Sequence, residues 1–312
     1  MEFLYILGAI AALLLIAVAA ITLICFHMAF YVPKKQILGE NDYPIPEGEI
    51  YEPHRDLMIR FMKEARSMPR ENVCIRSFDG LNLHGTYYEY APGAPIELMF
   101  HGYRGCAERD LSGGVQRCFA LGHSALIVDQ RACGRSDGKV ITFGIHERKD
   151  CLKWIDFMMQ KFGPDVKIIL TGISMGAATV MMAGGEDLPC NVVGILADCG
   201  YTSPKEIIKV VIKQMRLPVA PAYPFVKLAA RLLGGFDLEE TSALEAMKKC
   251  RVPVIFFHGE ADDFVPCYMS RQCYEACASK KRLVTMKDAG HGLCYLADAE
   301  GYIQAARDFF HG

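Results

Sequence analysis

The chain has 312 residues, 52% of them apolar and 22% charged, with a net charge of −2. That composition is globular, carries no basic footprint for nucleic acid, and at this length allows one large or two ordinary domains. The thirteen cysteines are scattered without paired spacing and show no metal-ligand pattern with nearby histidines, so they suggest a reducing compartment rather than a disulfide framework.

From Phe3 to Phe26 run twenty-four residues without a charge, long enough to cross a bilayer as a helix. A signal peptide is the rival reading, since Ala17-Val18-Ala19-Ala20 resembles a cleavage site. The apolar run continues past that point and no basic region precedes it, so residues 1–32 are read as an uncleaved, single-pass membrane anchor. Lys34 and Lys35 follow the helix; with the cysteines, they place the remainder of the chain on the cytoplasmic side.

Residues 33–72 read as a linker, rich in Pro, Gly and acidic residues from Pro33 to Pro53, and a lead-in helix from Asp56 to Arg66. Val73–Ser77 and Leu81–Tyr90, around Phe78-Asp79-Gly80, predict an antiparallel hairpin. The pattern then becomes strand-helix alternation. Strands are expected at Ile96–Phe100, Ala125–Asp129, Val166–Leu170, Val192–Ala197, Val252–His258 and Leu283–Met286. Helices are expected at Leu111–Leu121, Ile145–Phe162 and Ala177–Gly184, and again near the C-terminus. Short apolar strands alternating with helices give an α/β class, a mostly parallel eight-stranded sheet with helices on both faces. About residues 203–250 interrupt the alternation with helical pieces at Pro204–Met215, Tyr223–Leu233 and Ser242–Lys249, a small helical cap inserted after the sixth strand.

The stretch Leu170-Thr171-Gly172-Ile173-Ser174-Met175-Gly176-Ala177-Ala178 organises the site. A serine on a sharp strand-to-helix turn is strained, and glycines two residues either side let neighbouring chains approach. Ser174 is therefore the expected nucleophile. A hydroxyl needs a base, and His291, after the last strand and between glycines, is the best of nine histidines. His258 reads as structural and His101 as part of a turn. The base needs an orienting carboxylate. Asp262 is chosen, with the adjacent Asp263 as runner-up. The order Ser, Asp, His is that of an αβ hydrolase. The oxyanion donors expected are the amides of Met175 and, from the loop after the third strand, Tyr103.

Five pieces carry a family resemblance: His101-Gly102-Tyr103-Arg104-Gly105, Asp129 to Ser136, Gly172 to Gly176, His258-Gly259 with Asp262 and Val265-Pro266, and Gly290-His291. From about residue 73 to the end, the chain resembles αβ hydrolases of the serine aminopeptidase (S33)-like and monoacylglycerol-lipase-like group, so residues 73–312 are expected to form an αβ-hydrolase domain. In that family an aspartate four residues after the histidine of the His-Gly pair, followed by Val-Pro, is the triad acid, which implies Asp262. The loop at Asp129 departs from the family pattern in having Ala132 where glycine is usual.

The activity expected is a serine hydrolase cleaving an ester, thioester or amide of a small-molecule acyl substrate through an acyl-enzyme, with no cofactor or metal. Acyl transfer, aminopeptidase-type activity, or a catalytically silent anchored binding protein are the alternatives. The cap is rich in apolar residues, so an acyl pocket including Phe225 and Leu228 is expected there, with apolar acyl groups preferred.

Overall fold

The computed structural model describes residues 1–312. It opens with helix α1 (Glu2–Ala29), a turn at Glu49–His54 and helix α2 (Arg55–Ser67). The hairpin follows as β1 (Glu71–Arg76) and β2 (Asn82–Tyr88), and after it come β3 (Ile96–Phe100), α3 (Ala107–Leu121), β4 (Ser124–Val128), α4 (Glu147–Phe162), β5 (Ile168–Ile173), α5 (Met175–Ala183) and β6 (Val192–Asp198). Helices α6 (Pro204–Gln214), α7 (Val219–Ala229) and α8 (Ala243–Met247) form the insertion. The chain closes with β7 (Val254–Gly259), α9 (Tyr268–Ala276), β8 (Lys281–Met286), α10 (Cys294–Ala297) and α11 (Ala299–His311).

The eight strands form one sheet in the order β1-β2-β4-β3-β5-β6-β7-β8. β2 pairs antiparallel with β1 and β4, and every pair from β4 to β8 is parallel. Strand alternation sends side chains to opposite faces. Ile96, Leu98 and Phe100 join a core cluster with α4 and α5 residues, whereas Met99 packs with Leu111 and Val115 of α3. Likewise Val254 and Phe256 face one layer, while Ile255 and Phe257 meet Tyr302 and Phe309 of α11. Both faces are therefore covered, as parallel strands require.

Helix α3 starts at Ala107 rather than Leu111, and two further stretches differ from the sequence expectation. The second cap helix begins at Val219 rather than Tyr223, and a single π-type turn, Ala230–Gly234, ends it. Pro221 sits in the first turn, where its missing N–H costs nothing. The stretch expected as a linker is laid down on the body. Tyr31 bridges to Val140, the Val32 N–H donates to Lys139 O at 2.8 Å, Arg109 Nη1 donates to Gln36 Oε1 at 2.9 Å, and Arg66 Nη2 donates to Asp42 O at 2.9 Å.

Helix α1 buries one residue, Thr22, and leaves most of its apolar side chains exposed. By length and composition it is able to cross a membrane. α7 packs along it. Just past its end Phe30 is fully buried, edge-on to Phe143 and Phe236 at centroid distances of 5.8 and 5.3 Å.

Candidate active site

Ser174 stands between β5 and α5 with φ 56° and ψ −116°, a left-handed conformation that a side chain rarely adopts. Its flanking glycines are fixed by space: a Cβ on Gly172 would lie 2.2 Å from the Gly176 carbonyl, and one on Gly176 would lie 2.1 Å from Phe100 O. The elbow is thus pressed against its own helix and against β3. The Ser174 N–H donates to Asp198 O at 2.8 Å, which ties it to the end of β6.

His291 Nε2 is 3.0 Å from Ser174 Oγ, and His291 Nδ1 is 2.7 Å from Asp262 Oδ2. An ionised carboxylate only accepts, so Nδ1 carries the proton and Nε2 is left to accept from the serine hydroxyl. Asp262 Oδ1 accepts from the N–H groups of Phe264 at 3.0 Å and Val265 at 2.8 Å. Burial works to raise the Asp262 pKa, but hydrogen bonds from His258 and His291 outweigh it and hold the carboxyl at about 2. The adjacent Asp263 is exposed, and only its carbonyl is engaged, by Gln214 at 2.7 Å. The structure therefore brings Asp262, not Asp263, to the histidine.

Met175 follows the serine directly, and neither its amide nor that of Tyr103, the second expected oxyanion donor, has a hydrogen-bond partner within the chain. Met175 opens α5, where the first N–H groups have no intrahelical acceptor. The loop bearing Tyr103 is braced by His101, which is fully buried. The Gln130 N–H donates to His101 Nε2 at 3.0 Å, so the proton sits on Nδ1, which donates to Gly102 O at 2.7 Å. A Cβ on Gly102 would stand 3.7 Å from Ser174 Cβ, a measure of how close this loop passes.

Phe225 and Leu228 lie half-buried in α7, the helix packed along α1. Phe264 is set edge-on to the His291 ring at 5.1 Å.

Three features escaped the sequence reading. His258 is structural, as expected, but also touches the acid: its Nε2 donates to Val265 O at 2.9 Å and lies 3.3 Å from Asp262 Oδ2. Tyr51, in the supposed linker, donates its hydroxyl to His291 O at 3.1 Å. A cavity of about 70 Å³ reaches Ile173 and Gly292, the sequence neighbours of Ser174 and His291, and is lined also by Arg117, Asp198 and Tyr302. Arg117 Nε and Asp198 Oδ1 are buried there without partners, so the space is polar enough for ordered water. Burial raises the Asp198 carboxyl to about 6, although it accepts from Tyr302 Oη at 3.0 Å.

A family model described as "Alpha/beta hydrolase family" matches residues 83–305. The protein YqkD of Bacillus subtilis (strain 168) is 28% identical over 307 residues, covering 97% of this chain and 96% of its own length. Protein bem46 of Schizosaccharomyces pombe is 24% identical over 251 residues, covering 78% and 77%. Among solved structures, Pyrococcus furiosus esterase Pf2001 superposes with a TM-score of 0.66 at 21% identity, covering 89% of this chain and 98% of that one. Est1E from Butyrivibrio proteoclasticus, described with ferulic acid bound, gives 0.60 at 19% identity over 76% and 97%. The structural likeness at such identities speaks for the fold. With the family match over most of its length, the chain belongs to the alpha/beta hydrolase family.

Proposed function

We propose that the protein is a membrane-anchored serine hydrolase that cleaves esters of small-molecule acyl substrates through an acyl-enzyme. The observation that carries the reading is the unbroken relay Ser174–His291–Asp262, at 3.0 and 2.7 Å, on a strained elbow. Ser174 Oγ attacks the acyl carbon while its proton passes to His291 Nε2, and Asp262 holds the imidazole and stabilises the imidazolium. The amides of Met175 and Tyr103 receive the oxyanion. The imidazolium then protonates the leaving alcohol. Water, deprotonated by the same nitrogen, resolves the acyl-enzyme and restores the serine.

The anchor reading rests on α1, which is long and apolar enough to cross a membrane and whose last turn is bonded to the body. A signal sequence passes the same length test; the bonded last turn favours retention. Pf2001, an esterase, and Est1E, solved with ferulic acid bound, agree with ester chemistry. Apolar acyl preference and a pocket at Phe225 and Leu228 are part of the proposal, supported by Phe264 at the histidine and by the apolar cap beside α1. Membership of the S33-like and monoacylglycerol-lipase-like group belongs to it too.

The test is p-nitrophenyl ester hydrolysis by the full chain in detergent, with Ser174→Ala and His291→Ala alongside. Each variant is expected to lose all but about a thousandth of kcat, since members of a triad act as a unit. More than about a hundredth retained by either variant overturns the assignment.

A further inference from the structure

The family match begins at residue 83, yet residues before it touch both loops that complete the site. The first contact is at the end of α1. The last carbonyls of a helix have no intrahelical donors and form the negative end of its dipole. Here they are claimed by the loop after β3. Tyr103 Oη donates to Ala29 O at 2.8 Å, and Arg104 Nη2 lies 3.0 Å from Met28 O, 3.0 Å from Tyr31 O and 3.3 Å from His27 O. Every hydrogen-bond partner of the Arg104 side chain is a carbonyl of this turn. Arg104 itself is held in the left-handed region at φ 53°. The Tyr103 ring packs on Phe143 at 5.1 Å, and Phe143 on the buried Phe30, so ring packing and hydrogen bonds join α1 to the same loop.

The second contact is at the histidine. The Tyr51 hydroxyl donates to His291 O at 3.1 Å, and Ile50 lies so close to Gly290 that a Cβ there would meet its Cδ1 at 3.4 Å. Gly290 and Gly292 leave the histidine loop conformationally free, and Gly292 uses that freedom at φ 69°. Tyr51 and Ile50 restrain it from outside the hydrolase domain.

We propose that residues 27–51 are a positioning element of the catalytic site. The end of the apolar helix holds Tyr103 and Arg104 so that the Tyr103 amide faces the oxyanion, and Tyr51 holds the loop that carries His291. The inference rests on the proposed roles of Tyr103 and His291. An oxyanion forms only on the way to the tetrahedral intermediate, so a loosened donor lowers kcat and leaves ground-state binding alone. A shift of the helix relative to the domain would then alter catalysis without touching Ser174, His291 or Asp262.

The experiment uses the full chain in nanodiscs, with kcat expressed per active site titrated by a fluorophosphonate, so that unfolded protein does not count. Arg104→Gln, Arg104→Lys, Tyr103→Phe and Tyr51→Phe are compared with wild type. Arg104→Gln is expected to lower kcat about tenfold or more at unchanged KM and to weaken a trifluoromethyl ketone inhibitor, whose adduct occupies the oxyanion site, by the same factor. Arg104→Lys should recover much of both. Tyr103→Phe and Tyr51→Phe should each lower kcat severalfold at unchanged KM. Wild-type kcat and inhibitor affinity in Arg104→Gln and Tyr103→Phe, or losses confined to thermal stability or KM, overturn the inference. The underlying reading fails separately, through hydrolysis that survives Ser174→Ala.

Discussion

The acid of the proposed triad is a residue whose neighbour differs from it only in direction. Asp262 faces His291 and accepts two backbone N–H groups, while Asp263 faces solvent. Asp262→Asn should lower kcat about 10⁴-fold, by analogy with the serine-protease aspartate, because Nδ1 loses its proton acceptor and the tautomer reverses. Asp263→Asn should leave kcat within about twofold; the opposite ranking in steady-state kinetics contradicts the geometry. Asp198 behaves in the contrary sense. Its folded-state pKa of about 6 lies above the unfolded value, so the protein binds more protons than the unfolded chain and the contribution is lost as pH rises from about 4 through 6. Asp198→Asn removes that loss. Its melting temperature should gain on wild type between pH 4.5 and 7.5, equivalent to at most about 3 kcal/mol, and parallel curves would show that Asp198 is not destabilised by its charge. The grouping of Ser174, His291 and Asp262 was legible because the elbow is local and the chain order of the three follows from the fold. Tyr51 and Arg104 were not, because their partners lie 240 and 73 to 77 positions away and no short pattern encodes such pairings.

The strand-helix elements followed from apolar runs of the right length, and the elbow from its glycines. A Gly176→Ala variant tests the steric reason given for that spacing. With Phe100 O 2.1 Å from the added carbon, β3 or α5 must shift, and a cost of several kcal/mol is expected in urea unfolding. A loss below about 0.5 kcal/mol would mean that the elbow has room to spare. What the sequence could not reveal was the course of residues 33–53. Their Pro, Gly and acidic content signals irregular backbone, and irregular backbone laid on a surface looks the same in sequence as a free linker. The helical insertion between β6 and β7 was located by its length, but its place beside α1 depended on packing between segments roughly two hundred residues apart. If its apolar residues line an acyl pocket, kcat/KM should rise from acetyl to octanoyl esters, by up to about two orders of magnitude for a four-carbon extension. Phe225→Ala with Leu228→Ala should flatten that slope; a profile that is already flat, or unchanged by the pair, contradicts the pocket.

At the scale of the molecule, an apolar helix with a single buried residue leads into a two-faced α/β domain, its end bonded to the loop bearing Tyr103 and the segment after it to the loop bearing His291. The full chain should remain with membranes through alkaline carbonate extraction, and its mature N-terminus should be that of the first residues rather than one beginning near residue 21. A processed N-terminus would identify the helix as a signal sequence. All these expectations hang on Ser174 being an activated nucleophile. The most direct measurement is to treat the folded, full-length chain with a fluorophosphonate, record the intact mass and map the modified peptide. The account predicts one adduct per chain, on Ser174, absent in Ser174→Ala and formed far more slowly in His291→Ala; a folded chain that takes up no adduct, or carries it on another residue, would contradict it.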